Sequence, residues 1–265
     1  MANGGDIIYN ILILICAYVY VLIIVGIGIF IQKKTEKSSE FTRKTIHVFA
    51  GFVIFFVFLF TPDFAWLADI IAVTFLILLY LSGPSGPEFM KAMFDSMARE
   101  EDIEEGKIYG PFYYAISITI LTIIFTFPTL SLFSYYWIPA SALSMMFLGD
   151  GIAPFIGKKF GKHQYGPNNR TILGSLAVFL LGVAGCIITM LTAYYLTQAG
   201  LSKQNLTINI MILVVPIIGA GIFAIIEGIT PKGFDNITCP LITCVILFLL
   251  SSLVIPPFPN LIILI

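Results

Sequence analysis

Charged residues are scarce in this sequence. Asp, Glu, Lys and Arg make up 11% of its 265 residues, whereas an ordinary soluble domain carries about 25%. The shortage excludes a typical cytosolic enzyme and favours a protein that crosses a membrane several times. The net charge of -1 says little, because the position of the charges matters more than their sum, and we expect no nucleic-acid partner.

Familiar metal and nucleotide signatures are missing as well. The four cysteines have no CxxC spacing, so neither a zinc site nor a disulfide framework is indicated. The glycine-rich segment that contains Gly151 and Gly157 is not a Walker P-loop, because five residues separate these glycines and neither Ser nor Thr follows Lys158. A dinucleotide fingerprint fails too, since Pro154 interrupts the glycine pattern and no strand precedes it.

Long apolar runs are what the sequence has in place of charge. A transmembrane helix needs about 20 mostly apolar residues, and the runs divide at breaks such as Pro62, which cannot continue a helix. They predict an all-α, polytopic membrane helix bundle of about eight transmembrane helices. The predicted spans are 7–31, 45–61, 64–81, 108–127, 131–148, 171–196, 206–227 and 238–256.

The basic residues fall almost entirely on one side of these spans. Of the 14 Lys and Arg residues, all but Lys203 lie in four alternate loops. The positive-inside rule therefore places those loops in the cytoplasm and both termini outside. The four loops are 32–44, 82–107, 149–170 and 228–237.

We expect a single integral-membrane catalytic domain over residues 1–265. Within its second cytoplasmic loop, residues 88–105 place apolar side chains at helical spacing, which predicts an amphipathic helix on the cytoplasmic face. A solvated helix packed on the loops is favoured over a lid.

The first candidate site element is "RKTIH" (43–47), at the start of the second span. On a continuous helix Arg43 and His47 are four residues apart and share a face. Arg43 and Lys44 are suited to bind phosphate, although basic residues at a membrane boundary are common. His47 favours a functional role, because a histidine inside a span is costly without a partner.

The second element is the segment from Gly149 to Ser175, which comprises the predicted cytoplasmic loop 149–170 and the first residues of the sixth span. Asp150 opens it, where a carboxylate faces both a hydrated loop and the lipid. Its glycines allow backbone N–H groups to come close to an anion, and its basic residues supply the charge that polyphosphate requires. These glycines and basic residues include Gly151, Gly157, Lys158, Lys159, Gly161, Lys162 and Arg170.

The third element is "EGITPKGFDN" (227–236). Glu227 ends the seventh span and Asp235 begins the eighth, so a short loop brings the two carboxylates close together. With Asp150 they offer two or three oxygen ligands, and Mg²⁺ is usually held by one or two carboxylates plus substrate phosphates. Helix capping is the alternative role for Asp235.

A phosphate site at the rim of a helix bundle suggests a water-soluble nucleotide that meets a lipid-soluble partner. Phosphoryl transfer needs positioning and charge neutralisation more than covalent chemistry. Basic side chains and Mg²⁺ would gather the polyphosphate. A carboxylate or a histidine would accept the proton of an alcohol, with Asp150, His47 and Asp235 as the candidates.

The ordered motifs resemble the CTP-dependent lipid kinase family, which includes dolichol kinase, phytol kinase and the yeast-type diacylglycerol kinase. "GDGIAPFIGKKFGK", "NRTILGSLA" and "IIEGITPKGFDNITCPL" carry the resemblance, with "RKTIHVFAG" near the N-terminus, from residue 43 to about residue 240. The resemblance implies CTP as phosphoryl donor, Mg²⁺ as cofactor and a lipid alcohol as acceptor.

The match to the family motif is close but incomplete. Its first half is matched by Asp150, Ala153, Gly157 and Gly161, and its second half by Arg170, Thr171, Gly174 and Ala177. Asn169 stands where the family has a lysine, and Leu173 where it has a glutamate. If that glutamate binds metal, Glu227 or Asp235 must take over its task.

The leading hypothesis is a CTP-dependent kinase acting on an isoprenoid alcohol of the dolichol, geranylgeraniol or phytol class. A CTP:lipid-phosphate cytidylyltransferase uses the same substrates but releases pyrophosphate. A transporter is a third reading, which the scarcity of charge inside the spans and the lack of a repeat disfavour. Because no transit segment is visible, we expect a prokaryotic, possibly archaeal, cell membrane, with the endoplasmic reticulum as the alternative.

Overall fold

The computed structural model describes residues 4–34, 39–98, 102, 109–166, 169–231 and 233–251. Helices make up most of this part of the chain. In chain order they are α1 (Gly4–Lys34), α2 (Ser39–Gly51), α3 (Ile54–Val57), α4 (Leu67–Leu81), α5 (Glu88–Met97), α6 (Tyr109–Thr126), α7 (Trp137–Met145), α8 (Gly151–Phe160), α9 (Ile172–Gln198), α10 (Met211–Ile229) and α11 (Asp235–Ser251). Three short 3₁₀ turns are Pro62–Phe64, Pro128–Leu130 and Phe133–Tyr135, and a π turn is Met146–Asp150.

Long apolar helices confirm the predicted helical membrane bundle. Within the described residues, six segments are long and apolar enough to cross a bilayer, and α11 is apolar but shorter. The six are Gly4–Lys34, Pro62–Leu81, Tyr109–Thr126, Phe133–Phe160, Ile172–Gln198 and Ile212–Ile229. The count of eight spans and the side on which the termini lie stay predictions.

The second predicted span, 45–61, is not one continuous helix. Helix α2 begins at Ser39 and ends at Gly51, and α3 begins at Ile54. A Cβ atom at Gly51 would collide with the ring of Phe147, so the glycine lets α2 lie directly against the π turn. The earlier start places the whole "RKTIH" segment on α2.

Helix α7 is the centre of the bundle. Every one of its nine residues is buried, and it packs against α6, α9 and α11. Small residues permit this close packing: a Cβ atom at Gly185 of α9 would lie 3.0 Å from the carbonyl oxygen of Ser144. The hydroxyl of Ser141 donates to the Trp137 carbonyl at 2.7 Å, so this polar group is satisfied inside its own helix.

The fifth predicted span does not end at Leu148, and the loop expected over 149–170 is half helix. The chain continues through the π turn into α8, which ends at Phe160. Pro154 lies inside α8 and has no N–H, so the Asp150 carbonyl four residues earlier lacks its usual helical donor. The Lys44 ammonium donates to that carbonyl at 2.6 Å instead.

Other boundaries differ less from the prediction. The seventh span begins at Met211, later than expected, and the eighth begins at Asp235 and is described as far as Ser251. The amphipathic helix expected over 88–105 is observed as Glu88–Met97, and residues 99–101 and 103–105 lie outside the described part. Its apolar face packs against the helices α1 and α2, whereas the prediction was a solvated helix packed on the loops.

A short hairpin follows α8, which the all-helical prediction did not include. Strands β1 (Gln164–Tyr165) and β2 (Arg170–Thr171) pair antiparallel, with Gln164 opposite Thr171 and Tyr165 opposite Arg170. Residues 167–168 between them lie outside the described part. The pairing places Arg170 one residue before the N-cap of α9, at the edge of the polar cavity described below.

Candidate active site at the junction of two cavities

A polar cavity of about 460 Å³ lies between α2, α8, the hairpin and the ends of α9, α10 and α11. Its wall carries equal numbers of positive and negative side chains. The cations are Arg43, Lys44, Lys158 and Arg170, and the acids are Glu40, Asp150, Glu227 and Asp235. Of these eight, seven are residues that the sequence analysis selected, and Glu40 is the addition.

Lys44 and Asp150 form a buried ion pair at the inner end of this cavity. The Lys44 Nζ lies 2.8 Å from Asp150 Oδ2 and also donates to the Asp150 carbonyl. Burial lowers the pKa of the Lys44 ammonium, and the neighbouring Asp150 carboxylate opposes that effect. Through Lys44, helix α2 is therefore bonded to both the side chain and the main chain of Asp150 in the π turn.

His47 lies one turn further along α2, on the same side of the helix as Arg43. Its Nε2 is 3.5 Å from Asp150 Oδ2 and has no hydrogen-bond partner among the described residues. The Tyr114 ring lies 4.2 Å from the imidazole, centroid to centroid, and the Tyr114 hydroxyl donates to the His47 carbonyl at 3.1 Å. The imidazole is thus held with a nitrogen facing the Asp150 carboxylate.

Arg170 bridges the other two carboxylates. Its Nη2 lies 2.7 Å from Glu227 Oε1 and 2.8 Å from Asp235 Oδ2. Burial alone would lower the pKa of the Arg170 guanidinium, but the carboxylates of Glu227, Asp150 and Asp235 raise it above its ordinary value. The guanidinium therefore stays charged and holds the ends of α10 and α11 together.

Close packing of the hairpin on α10 positions Arg170. A Cβ atom at Gly228 would lie 2.6 Å from the Tyr165 hydroxyl, so only glycine allows the tyrosine to rest against α10 beside Glu227. Gly166 and Asn169 both have left-handed backbone angles, with φ of 68° and 51°. Asparagine tolerates that conformation better than most residues, which gives the departure from the family lysine at position 169 a local structural reason.

Asp150, Glu227 and Asp235 converge, as the sequence analysis expected. One carboxylate oxygen from each lies within 4.8 Å of the others, and all three residues are buried. Oδ1 of Asp235 accepts from the N–H groups of Gly233 and Asn236, both at 3.0 Å, which directs Oδ2 towards the cluster. Oxygens bound to Mg²⁺ at about 2.1 Å lie up to about 4.2 Å apart, so the three fit such an ion after a small contraction.

The glycines of the motif serve packing more than anion binding. A Cβ atom at Gly157 would lie 2.9 Å from the Thr171 hydroxyl and 3.2 Å from Gly174 Cα. The N–H of Gly161 donates to the Gly157 carbonyl at 2.9 Å, and that of Gly174 to the Thr171 hydroxyl at 3.0 Å. Their main-chain donors are therefore engaged within the protein, in contrast to the expectation that they approach an anion.

Three of the predicted nucleotide-binding residues lie outside the wall of the polar cavity as the structure describes it. Gly151 packs against Val48 of α2, which a Cβ atom there would strike. Lys159 lies over the Phe160 ring at 5.1 Å, and Lys162 is exposed. For Gly151 and Lys159 the cause is the helical continuation through residue 160, which distributes successive side chains around the helix axis. Lys162 lies in the segment that follows this helix.

Leu173 also lies away from the carboxylate cluster. It is 36% exposed and lies outside both cavities described here. Glutamate is absent at this position, but three converging acids remain at the site, from the π turn, α10 and α11.

Two polar residues at the site received no role in the sequence analysis. Glu40 pairs with Lys158, which links α2 to α8. Asn236 donates from Nδ2 to the Gly110 carbonyl at 3.0 Å, while its buried Oδ1 has no partner among the described residues. Glu40 lies one turn before Lys44, so its helical spacing from a basic residue could have identified it from the sequence as part of the site.

A second, apolar cavity of about 120 Å³ opens beside the first. Residues of α1 to α6 line most of it, including Val25, Phe75 and Met93. The two cavities share three residues of their walls: Arg43, Lys44 and Asp150. His47 and Asn236 line the apolar cavity at this shared end. The ion pair of α2 and the π turn is thus the boundary between a polar and an apolar chamber.

Sequence comparison finds relatives with related names in plants and in a cyanobacterium. Probable phytol kinase 2, chloroplastic, of Oryza sativa subsp. japonica is 31% identical over 237 residues, which cover 86% of this chain and 68% of that protein. Farnesol kinase, chloroplastic, of Arabidopsis thaliana is 27% identical over 84% of this chain and 67% of its own length. Phytol kinase of Synechocystis sp. is 28% identical over 77% of this chain and 76% of its own length. Neither a family model nor a solved structure matches the chain.

The expected prokaryotic or archaeal cell membrane is contradicted by these relatives. Most carry the word chloroplastic in their names, which favours an organellar membrane, although the Synechocystis relative is prokaryotic. The expectation relied on the lack of a visible transit segment. Such a leader is separate from the bundle, so the sequence of the bundle says nothing about which membrane holds it.

Most of the residues that carry the motif resemblance line the polar cavity, with Asp150 at its junction with the apolar one, and the similarity to the relatives extends well beyond the motifs. With 31% identity to the rice kinase across most of both proteins, the chain belongs to the polyprenol and phytol kinase family.

Proposed function

We propose that the protein transfers the γ-phosphoryl group of CTP to the hydroxyl group of an isoprenoid alcohol, with Mg²⁺ as cofactor. The observation that carries the proposal is the junction at Lys44 and Asp150. A polar chamber suited to phosphates meets an apolar chamber suited to a lipid tail at that one ion pair. Relatives named as phytol and farnesol kinases support the acceptor class.

The polar cavity has the donors that a triphosphate requires. Arg43, Lys44, Lys158 and Arg170 point into it from three separate elements, and such charge-assisted hydrogen bonds are the strong ones for phosphate. The first turn of α9 forms part of the wall through Thr171, Gly174 and Ser175. The Ile172 and Gly174 N–H groups are bonded to the His163 carbonyl and the Thr171 hydroxyl, so this turn would favour an anion through the helix dipole.

Asp150, Glu227 and Asp235 would hold the divalent cation, which neutralises phosphate charge when bound. In the structure their carboxylates are paired with Lys44 and Arg170. We infer an exchange of partners on nucleotide binding, in which the two basic side chains turn to phosphate oxygens and release the carboxylates. The site therefore already contains the positive charges that phosphate requires and the negative charges that the cation requires, combined in ion pairs.

His47 is placed to receive the acceptor alcohol. Its Nε2 faces Asp150 at the end of the apolar cavity. The alcohol oxygen would bond to the γ-phosphorus as the bond from that phosphorus to the β–γ bridging oxygen breaks. The hydroxyl proton passes to His47 Nε2, and CDP leaves with the electron pair of the broken bond.

The choice of CTP rests on the resemblance of Asp150, Ala153, Gly157 and Gly161 to the family motif. The test is an assay of purified protein in detergent with γ-labelled CTP or ATP and phytol, farnesol or geranylgeraniol. Label in the lipid phase with CTP and Mg²⁺ is the expected result. Lack of labelled lipid from every alcohol with either nucleotide would overturn the proposal.

Product analysis separates the kinase from a cytidylyltransferase. The kinase releases CDP and leaves a lipid monophosphate, whereas a cytidylyltransferase releases pyrophosphate and requires a lipid that is already phosphorylated. The relatives compared above are named as kinases, which favours CDP. Asp150→Asn combined with Lys44→Met, which leaves no unpaired charge in this buried pair, should abolish product while the protein remains folded in detergent.

A further inference from the structure

Asn236 brings an unused hydrogen-bond acceptor to the polar end of the apolar cavity. It is the second residue of α11 and is 4% exposed, and it lines this cavity together with Lys44, His47 and Asp150. Its Oδ1 has no hydrogen-bond partner among the described residues. A buried amide oxygen without a donor costs stability, which a bound ligand with a hydrogen to donate would recover.

The other polar groups of Asn236 hold the residue in place. Its Nδ2 donates to the Gly110 carbonyl at 3.0 Å, and its own carbonyl accepts from the Ser117 hydroxyl at 2.5 Å. Gly110 and Ser117 are seven positions apart on α6, so they lie on the same face of that helix, about two turns from each other. The main-chain N–H of Asn236 donates to Asp235 Oδ1 at 3.0 Å. The side chain is therefore fixed against α6, with Oδ1 left over.

These contacts also determine which way the amide faces. An amide carries donors on its nitrogen and only acceptor sites on its oxygen, and the Gly110 carbonyl can only accept. Rotation of the amide by half a turn would bring two oxygen atoms together at Gly110, so Nδ2 takes that position and Oδ1 faces away from it. The polar end of the cavity therefore contains an atom that accepts hydrogen bonds and cannot donate them.

The size of the cavity suits one end of a lipid alcohol. Its volume of about 120 Å³ is somewhat below the roughly 150 Å³ of a cavity that holds a benzene molecule. The space admits a hydroxyl group with the first few carbons attached to it. A hydroxyl group has a hydrogen to donate and therefore matches Oδ1, whereas the methyl end of a hydrocarbon does not.

We propose that Asn236 Oδ1 accepts the hydrogen bond of the lipid hydroxyl group and thereby selects an unphosphorylated lipid. The inference rests on the proposed function, because it assumes that the phosphoryl acceptor is an alcohol. The hydroxyl hydrogen turns about the C–O bond, so it leaves Asn236 for His47 Nε2 as the oxygen bonds to phosphorus. The ester oxygen of the product carries no hydrogen, so the bond to Asn236 is lost once the phosphoryl group has been transferred.

The experiment measures binding without nucleotide, by competition against tritium-labelled farnesol in detergent. The competitors are farnesol and the hydrocarbon of the same shape in which a methyl group replaces the hydroxyl group. Wild-type protein should bind the alcohol more tightly, and Asn236→Leu should lower that preference about tenfold, the size of one hydrogen bond. Because both ligands enter micelles, only the change in preference between variants is used. Thermal unfolding shows whether each variant is folded, and Asn236→Ala gives the same comparison if the leucine variant is not.

Three further variants separate this contact from a structural effect. Ser117→Ala loses the hydroxyl that is bonded to the Asn236 carbonyl but leaves Oδ1 in place, so it should keep the wild-type preference for the alcohol. Asn209→Leu, the same change at an exposed position before α10, should keep it as well. His47→Ala should also keep it, because the hydrogen is donated to Asn236 in the complex without nucleotide. Farnesyl monophosphate should bind wild-type protein and Asn236→Leu equally.

Several outcomes would overturn the inference. A preference for the alcohol that is absent in wild-type protein, or unchanged in the Asn236 variants, would show that water or another group satisfies Oδ1. Loss of the preference in His47→Ala alone would assign the hydrogen to the histidine, and equal loss in Ser117→Ala would show that Asn236 acts only through packing. If the wild-type protein binds farnesol through Asn236 but phosphorylates no alcohol with CTP or ATP, the proposed function fails and the binding assignment stands.

Discussion

At the scale of single residues, the site is organised by two carboxylate–cation contacts. Lys44 is bonded to both the side chain and the carbonyl of Asp150, and one nitrogen of Arg170 is shared by Glu227 and Asp235. A buried charge that loses its partner is costly, whereas a neutral replacement of both partners is tolerated. The pairs therefore have a structural role that can be separated from their role in binding.

The Lys44–Asp150 pair gives the first prediction. Lys44→Met leaves a buried carboxylate without its cation and should destabilise the protein by about 3–5 kcal/mol. Lys44→Met combined with Asp150→Asn should recover much of that stability, because no unpaired charge remains, yet stay inactive. Thermal unfolding in detergent and the lipid-phosphorylation assay measure the two effects. Full activity in either variant would contradict the assigned roles.

The lysines of α8 and the loop after it give the second prediction. Lys158 lines the polar cavity and pairs with Glu40, while Lys162 lies outside the wall. Lys158→Met should raise KM for the nucleotide about tenfold, the size of one hydrogen bond to a charged group. Because the pair is exposed, the melting temperature should hardly change. Lys162→Met is the control and should leave KM unchanged. Equal effects of the two substitutions would show that the cavity wall is not the nucleotide site.

At the scale of elements, irregular positions in the helices create the acceptors that join them. Pro154 leaves the Asp150 carbonyl free for Lys44. Pro240 likewise leaves the Asn236 carbonyl without a helical donor, and the hydroxyl of Ser117 on α6 donates to it. Each proline thus converts a lost helical hydrogen bond into a contact between neighbouring helices. The site lies where these contacts meet.

The third prediction concerns the packing contact between the hairpin and α10. Gly228→Ala places a methyl group against the Tyr165 hydroxyl. The tyrosine ring must then leave its place against α10 and its hydrogen bond with Ser175, so the hairpin that carries Arg170 loses this contact. Activity should fall by about 100-fold, since displacements of 1 Å cost that much when they disturb positioning. Adding Tyr165→Phe removes the obstructing oxygen and should restore part of the activity. If Tyr165→Phe alone lowers activity as much as Gly228→Ala and the double variant regains none, the Tyr165 hydroxyl itself is needed. The packing of Tyr165 on Gly228 would then not explain the loss.

At the scale of the whole molecule, the buried core and the lipid-facing surface are both apolar, and the polar site lies at one end. Helix α7 is buried on all sides, while α1, α4 and α9 expose large aliphatic residues such as Leu12, Ile77 and Leu180. A folded water-soluble protein does not leave so many large apolar side chains uncovered. The arrangement fits a bundle surrounded by lipid, with its charged cavity near the aqueous boundary.

The fourth prediction concerns the orientation of that bundle. If the basic loops are cytoplasmic, cysteines placed at Lys162 and Lys203 must react with an impermeant maleimide from opposite sides of a sealed membrane. The background is favourable, because Cys186, Cys239 and Cys244 are buried and Cys16 is replaceable by alanine. Labelling of both sites from one side would overturn the predicted topology.

The sequence by itself determined the class of the fold and most of the charged residues that line the polar cavity. Apolar runs of bilayer length have few alternatives to helices, because unpaired backbone groups are too costly in lipid. Acids at positions 150, 227 and 235 stood out because charges are so scarce elsewhere. Motif order then indicated the family without knowledge of the structure.

Only the tertiary structure decided where the helices break and which groups meet. Residues 149–160 are polar enough for a loop, but packing of α8 against α2 and α9 holds them helical and turns Gly151 and Lys159 away from the cavity. The sequence pattern of one segment does not determine how that segment packs against distant helices. The apolar chamber depends on residues of seven helices, α1 to α6 and α11, so its existence follows from long-range contacts that no single segment encodes.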